Sequence, residues 1–86
     1  MNIIELIAIV KKKLNDEINI EEIKIEDKSF LHKKHSQNEK GKYHLKITIN
    51  SIELKQMSRI NSNKKVYKIL DNEIKKFIHS IQISIE

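Results

Sequence analysis

The chain has 86 residues, a formal net charge of +5, one glycine and neither cysteine nor proline. A chain this short is predicted to fold as a single domain over residues 1 to 86, with a small core. Without cysteine it forms no disulfide and offers no thiolate, so a bound metal would be held by His, Asp or Glu. No apolar run reaches the roughly 20 residues that span a bilayer. We therefore expect a cytoplasmic protein that does not interact with membranes.

The basic charge comes almost entirely from lysine, since Arg59 is the single arginine. Lysine is a strongly hydrated point charge and is poorly suited to bidentate recognition of bases or phosphates. We therefore interpret the positive charge first as a solvated surface, and only second as a nucleic-acid-binding surface.

The first half of the chain predicts one helix followed by two strands. In residues 2 to 15 the apolar positions recur at helical spacing, and Asn2 with Glu5 resembles a capping box. Residues 22 to 27 and 43 to 50 alternate between apolar and polar side chains, which predicts strands. Residues 28 to 42 between them are polar and aperiodic, which predicts a long loop that turns at Gly41.

The second half predicts helices and a final strand. A short helical turn is expected after Ser51, and a longer helix over residues 57 to 76 with an apolar stripe of Met57, Ile60, Val66, Tyr67, Leu70 and Ile74. Ile81, Ile83 and Ile85 then alternate with polar residues as a strand. The predicted fold is α+β, in the order α-β-β-α-α-β, with helices on one face of a three-stranded sheet whose first two strands pair antiparallel.

Histidines are the candidate metal ligands. His79 shares the alternation of Ile81, so its ring is expected at the edge of the apolar side of the sheet. A half-buried structural histidine is the competing interpretation. His32 and His35 lie in the predicted loop, where the pattern alone favours two solvated histidines, because structural zinc normally needs four ligands. His44 opens the middle strand on its polar side and is interpreted as a cross-strand partner.

Catalytic motifs are absent from the sequence. There is no H-E-x-x-H pattern, no glycine-rich phosphate loop and no serine–histidine–aspartate arrangement in a useful context. The acidic residues are scattered along the predicted elements. We therefore expect a protein that is not an enzyme.

Several short motifs together resemble the BolA family. They run in the family's order and spacing over about residues 20 to 84: Asp27-x-Ser29-x-x-His32-x-x-His35, Gly41 with His44-Leu45, Ser51-x-x-Leu54, Val66-Tyr67-x-x-Leu70, and Ile78-His79-Ser80-Ile81. The resemblance implies an α-β-β-α-α-β fold similar to a class II KH domain. It also implies a monothiol CGFS-type glutaredoxin as partner, with a [2Fe-2S] cluster bridging the two proteins.

In such a complex, the resemblance implies that the glutaredoxin and a glutathione supply thiolates. This chain would supply His79 and one loop histidine, so it is similar to the loop-histidine type. His32 matches the family's loop ligand and His35 is its rival. The isolated chain, expected to be a monomer, would hold no cluster.

A second function remains open, because BolA-like proteins are also associated with transcriptional control of stress response and morphology. The candidate DNA-binding residues are Lys55, Arg59, Lys64, Lys65 and Lys68. The glycine that the family carries after its S-x-x-F motif is replaced by Gln56, and its arginine–histidine pair by Ser62 and Asn63, which weakens this reading. A zinc or nickel site made of histidines alone is a third interpretation.

Overall fold

A computed structural model describes residues 1–29 and 42–86 of the chain. Within these residues the order is a helix, two strands, three helices and a strand. The elements are α1 (Ile3–Glu17), β1 (Glu22–Asp27), β2 (Tyr43–Asn50), α2 (Ile52–Lys55), α3 (Arg59–Ile69), α4 (Asp71–Lys76) and β3 (Ile78–Ile85). The α+β class is confirmed, and the predicted bounds of β1 and β2 are correct. The KH-like label stays a prediction, and the loop predicted over residues 28 to 42 falls mostly outside the described residues.

The sheet has the order β1-β2-β3. β1 pairs antiparallel with β2, as predicted, and β3 pairs parallel with β2 on its other side. In this register Ile25 lies beside Ile47, and Ile47 lies beside Ile83. The apolar positions of all three strands therefore share one face, which the helices cover.

The core lies between that face and the helices. Its buried apolar residues come from every layer: Leu6, Val10, Leu14, Ile18, Leu45, Ile47, Ile49, Leu54, Val66, Leu70 and Ile78. Asn2 caps α1, since its side-chain oxygen accepts the Glu5 backbone N–H at 2.8 Å. The Glu5 carboxylate accepts from the Asn2 side-chain amide at 3.2 Å, so the N-cap half of the predicted capping box is present.

The continuous helix predicted over residues 57 to 76 is wrong. α3 ends at Ile69, and Leu70, with φ −96° and ψ 13°, separates it from α4. A straight 20-residue helix would be about 30 Å long, whereas an eight-residue strand spans about 26 Å. The break allows the chain to turn back and begin β3 beside Tyr43.

Two members of the predicted apolar stripe are also misplaced. Ile60 is 66% exposed and Tyr67 is 42% exposed. The buried face of α3 is instead formed by Ser62, Val66 and Leu70 at intervals of four residues. Ser62 tolerates burial because its hydroxyl donates a hydrogen bond to the Arg59 carbonyl at 2.9 Å.

Candidate metal-binding site

His79 lies at an irregularity in the pairing of β2 with β3. Tyr43 pairs with Ile78, but the next residue, His44, pairs with Ser80, so His79 is the extra residue of a β-bulge. A bulge interrupts the alternation of side chains between the two faces of a strand. His79 therefore does not share the face of Ile81, although the two residues are two positions apart. His79 is exposed, so it is not the half-buried histidine of the competing interpretation.

The ring of His79 meets the ring of His44. Their centroids are 4.9 Å apart and their planes are tilted by 53°. His44 belongs to the polar alternation of β2, opposite the core-facing Leu45 and Ile47. The expectation that the His79 ring leaves from the apolar side is therefore wrong, and the bulge is the physical reason.

His44 is the fixed member of the pair. It is 6% exposed, and its Nδ1 lies 2.6 Å from the Ser80 hydroxyl oxygen across the strands. Its backbone N–H donates to the Ser29 hydroxyl at 3.1 Å, and its carbonyl accepts the Lys28 N–H at 2.7 Å. His44 is thus the cross-strand partner that its position predicted, held by neighbours on both sides.

The residues that begin the connection from β1 to β2 are anchored at the same end of the sheet. Asp27 Oδ1 accepts the Ser29 backbone N–H at 2.9 Å, and Ser29 in turn contacts His44. The connection continues through residues 30–41, so His32 and His35 lie outside the described residues. The chain enters and leaves that segment beside the His44–His79 pair.

Sequence and structure comparisons identify the family. The family model described as BolA-like protein matches residues 14–86. This match spans most of the chain. The chain belongs to the BolA-like protein family. Proteins of this family are in general not enzymes.

Solved structures share the BolA-like fold. The BolA domain of SufE1 from Arabidopsis thaliana has a TM-score of 0.77 and 24% identity, covering 92% of this chain and 87% of that one. BolA1 from Arabidopsis thaliana has a TM-score of 0.76, with the same identity and coverage. BolA1 from Mus musculus has a TM-score of 0.71 at 19% identity, covering 90% of this chain and 60% of that one. Among curated proteins, none matches the sequence.

The electrostatic surroundings of this BolA-like site include an ion pair at the end of β1. Glu26 Oε1 lies 3.3 Å from the Lys28 ammonium and 3.9 Å from that of Lys24. The hydrogen bond from Lys28 is the main cause that lowers the pKa of Glu26 below its ordinary value. The Lys28 backbone N–H donates to the His44 carbonyl, and the Lys28 ammonium is paired with the Glu26 carboxylate.

In residues 1–29 and 42–86, no group of three or more His, Cys, Asp or Glu side chains could hold a metal ion. The described part of the site therefore presents His79 as a solvent-facing donor, with His44 behind it. The zinc or nickel interpretation involves His32 and His35 and stays a prediction. No described helix is long and apolar enough to cross a membrane.

The five candidate DNA-binding residues of the BolA-like domain do not line a single groove. Lys55 and Arg59 line a groove beside β3, whereas Lys65 and Lys68 border a depression beside α1 that also contains acidic side chains. Lys64 is exposed on α3. It lies two residues from each of the buried Ser62 and Val66, which is about 160° around the helix.

Lys65 is also occupied by an ion pair. Its ammonium lies 2.9 Å from Glu53 Oε2, and this hydrogen bond is the main cause that lowers the pKa of Glu53. The structure thus adds no support to the DNA-binding interpretation, which stays a prediction.

Sequence reasoning missed the contact of His44 with His79. These residues are 35 positions apart, and the sequence did not predict that β2 and β3 are parallel. Once β2 and β3 are known to be parallel, His44 and His79 both lie near the beginnings of neighbouring strands. Their side chains are therefore expected to be close. The ion pair between Lys13 and the buried Glu73 was missed too, although Glu73 follows Val66 by seven residues and Leu70 by three, at helical spacing.

Proposed function

We propose that this BolA-like protein acts with a monothiol CGFS-type glutaredoxin and contributes histidine ligands to a [2Fe-2S] cluster that bridges the two proteins. The proposed role is iron–sulfur trafficking or iron and redox regulation. The main observation in support is that the imidazole of His79 is exposed at a β-bulge. This bulge lies at the end of the sheet where the segment containing His32 and His35 begins.

The donor chemistry of the chain fits a shared cluster. An imidazole that faces solvent can reach iron held by a second protein, whereas a buried one cannot. The chain contains no cysteine, so thiolates would come from the glutaredoxin and a glutathione. When bound, a cluster with nitrogen ligands at one iron has a higher reduction potential than an all-thiolate cluster.

His44 and Ser80 support the proposed ligand without being ligands themselves. His44 is buried and hydrogen-bonded to Ser80, so its ring forms a fixed wall 4.9 Å from the ring centroid of His79. This wall restricts the rotamers of His79 and reduces the entropy that it loses on binding iron. A metal-binding imidazole must also be neutral, so protons compete with iron for it and the proposed complex weakens as the pH falls.

The second ligand is proposed to be His32, with His35 as the alternative. His32 follows Ser29 by three residues, which an extended chain spans in about 10 Å. Ser29 is itself hydrogen-bonded to His44. His35, six residues after Ser29, is allowed by a span of about 20 Å. Covalent reach thus permits both, and His32 is preferred because it matches the loop histidine of the family's S-x-x-H motif.

A reconstitution tests the proposal. The purified chain is mixed with a monothiol glutaredoxin, glutathione, ferrous iron and sulfide, and visible absorption and circular dichroism are compared with those of the glutaredoxin alone. We expect a distinct heterodimer spectrum that His79→Ala abolishes. One of the variants His32→Ala and His35→Ala should also remove it, and the other should affect it less. Gln82→Ala, an exposed change on the same strand, is the matched control and should leave the spectrum unchanged.

Two results would contradict the assignment. One is a visible circular dichroism spectrum that His79→Ala leaves unchanged. The other is a wild-type mixture whose spectrum equals that of glutaredoxin alone and whose proteins do not co-elute. Far-ultraviolet circular dichroism of each variant separates loss of a ligand from loss of the fold.

A further inference from the structure

The outer edge of β3 offers unpaired backbone groups. Within the described part of the chain, β3 pairs with β2 and with no other strand. The Glu86 N–H donates to the Ile49 carbonyl, so the alternate residues Ile83 and Ile85 direct their N–H and C=O groups away from β2. The Tyr67 hydroxyl donates to the Ile81 carbonyl at 3.3 Å, which agrees with this outward direction.

A groove runs along this edge, between β3 and the turn that joins α2 to α3. Its volume is about 490 Å³. Ile83 and Ile85 line one side, and the half-buried Met57 contributes apolar surface from the other. We call it the strand-edge groove. An extended chain lying in it would meet both backbone hydrogen-bonding groups and apolar side chains.

The strand-edge groove carries positive charge. Among its described lining residues, the charged ones are Lys55 and Arg59, both exposed cations. Two acidic residues adjoin the lining in sequence, and neither belongs to it. Glu53 pairs with Lys65 at 2.9 Å, and Glu86 borders a different depression with Lys24 and Thr48. A ligand with a carboxylate is therefore complementary to the groove.

β3 also lacks the features that protect an exposed strand edge. Exposed edges are usually blunted by charged residues, proline or a bulge. From Ser80 to Ile85 the strand contains no charge, no proline and no glycine, and its bulge lies at the far end, at His79. The half of β3 that borders the groove can therefore accept another strand.

We propose that the strand-edge groove binds an extended acidic peptide segment of a partner protein, which adds to β3 as a fourth strand. The peptide backbone pairs with Ile83 and Ile85, and a carboxylate contacts Arg59 and Lys55. The outward N–H and C=O groups recur at every second residue of β3, which matches the backbone of an extended peptide. The described lining also contains no aromatic ring on which a base could stack. This proposal is independent of the cluster-binding site.

The test uses two libraries of capped seven-residue peptides, random except for the last two positions, which are glutamate in one library and lysine in the other. We expect binders from the glutamate library only. The best binder is then resynthesised with N-methyl groups on its odd or on its even amides. One set should abolish binding and the other should leave the Kd within about twofold, because an added strand uses alternate amides.

Two further readouts locate the peptide. Hydrogen exchange of the Ile83 and Ile85 amides should slow on binding. Arg59→Glu should weaken binding by about fivefold or more, whereas Lys64→Glu, the same charge change elsewhere on α3, should have less than half that effect. Circular dichroism verifies that both variants are folded, and the N-methylated peptides test the pairing without changing the protein.

Several results would overturn the proposal. These are no enrichment from the glutamate library, equal tolerance of both N-methylation patterns, or equal weakening by Arg59→Glu and Lys64→Glu. Displacement of the peptide by a duplex DNA oligonucleotide with protection of the same amides would assign the groove to nucleic acid instead. Concentration-dependent dimerisation that protects Ile83 and Ile85 without peptide would assign it to a second copy of the chain.

Discussion

Replacing Lys13 with methionine should destabilise the protein, because it breaks an ion pair that joins α1 to α4. The Lys13 ammonium lies 2.8 Å from both carboxylate oxygens of Glu73. The Glu73 side chain is 5% exposed and that of Lys13 is 39% exposed. Methionine preserves most of the unbranched stem but removes the charge, and Asn72, at 3.3 Å, is the remaining side-chain donor to Glu73.

The expected cost is about 2 kcal/mol at pH 7. Breaking a fully buried ion pair costs roughly 3–5 kcal/mol. Lys13 is half exposed, so water can partly replace its ammonium beside Glu73, and the expected cost lies below that range. Burial by itself raises the pKa of Glu73, but hydrogen bonds, chiefly from Lys13, outweigh it and hold the pKa below the ordinary 4.5.

The sign of the pH dependence follows from that lowered pKa. A carboxyl whose folded-state pKa is lowered stabilises the protein above its unfolded pKa, and this contribution is lost as the pH falls through the folded-state value. The difference between wild type and Lys13→Met should therefore be largest near neutrality. It should shrink as the pH falls, because the buried Glu73 of the variant, without Lys13, is protonated first. The wild-type Glu73 is protonated only below the ordinary value of 4.5.

Urea unfolding at pH 7 and pH 3.5 measures the effect. Lys12→Met is a matched control, since Lys12 lies one position away on α1 and pairs with Asp16 at 2.9 Å with both side chains more than half exposed. The control should cost about 0.5 kcal/mol or less. Equal losses in the two variants at pH 7, or a loss in Lys13→Met that is the same at both pH values, would refute the reasoning.

Three further substitutions test the core by urea unfolding. Ser51→Ala should cost about 2 kcal/mol, because the fully buried Ser51 hydroxyl accepts the Leu54 N–H and donates to the Asn19 carbonyl; a cost below about 0.5 kcal/mol would contradict this. Val66→Ala should cost about 2–3 kcal/mol, since Val66 is fully buried. Ile60→Glu should change stability by about 0.5 kcal/mol or less, because Ile60 is 66% exposed. A larger loss for Ile60→Glu than for Val66→Ala would place Ile60 in the core after all.

The sequence was sufficient for features that depend on neighbouring residues. Alternation over residues 43 to 50 predicted β2, because a half-buried strand requires apolar residues at every second position. The capping of α1 by Asn2 follows from local hydrogen bonding, and the antiparallel pairing of β1 with β2 follows from their adjacency in the chain. The family motifs identified His79 as a candidate, although they do not describe its surroundings.

Tertiary structure decided what depends on residues far apart in the chain. The parallel direction of β3 places His79 beside His44, and the bulge turns its ring toward the polar side, which no count of alternating residues reveals. The break at Leu70 and the burial of Ser62 likewise reflect packing against the sheet, which overrides the apolar stripe that included Ile60. The sequence by itself therefore determined α1, β1, β2 and the candidate ligand. Only the register between β2 and β3 decided the surroundings of that ligand, because strand pairing joins residues that the linear pattern leaves unrelated.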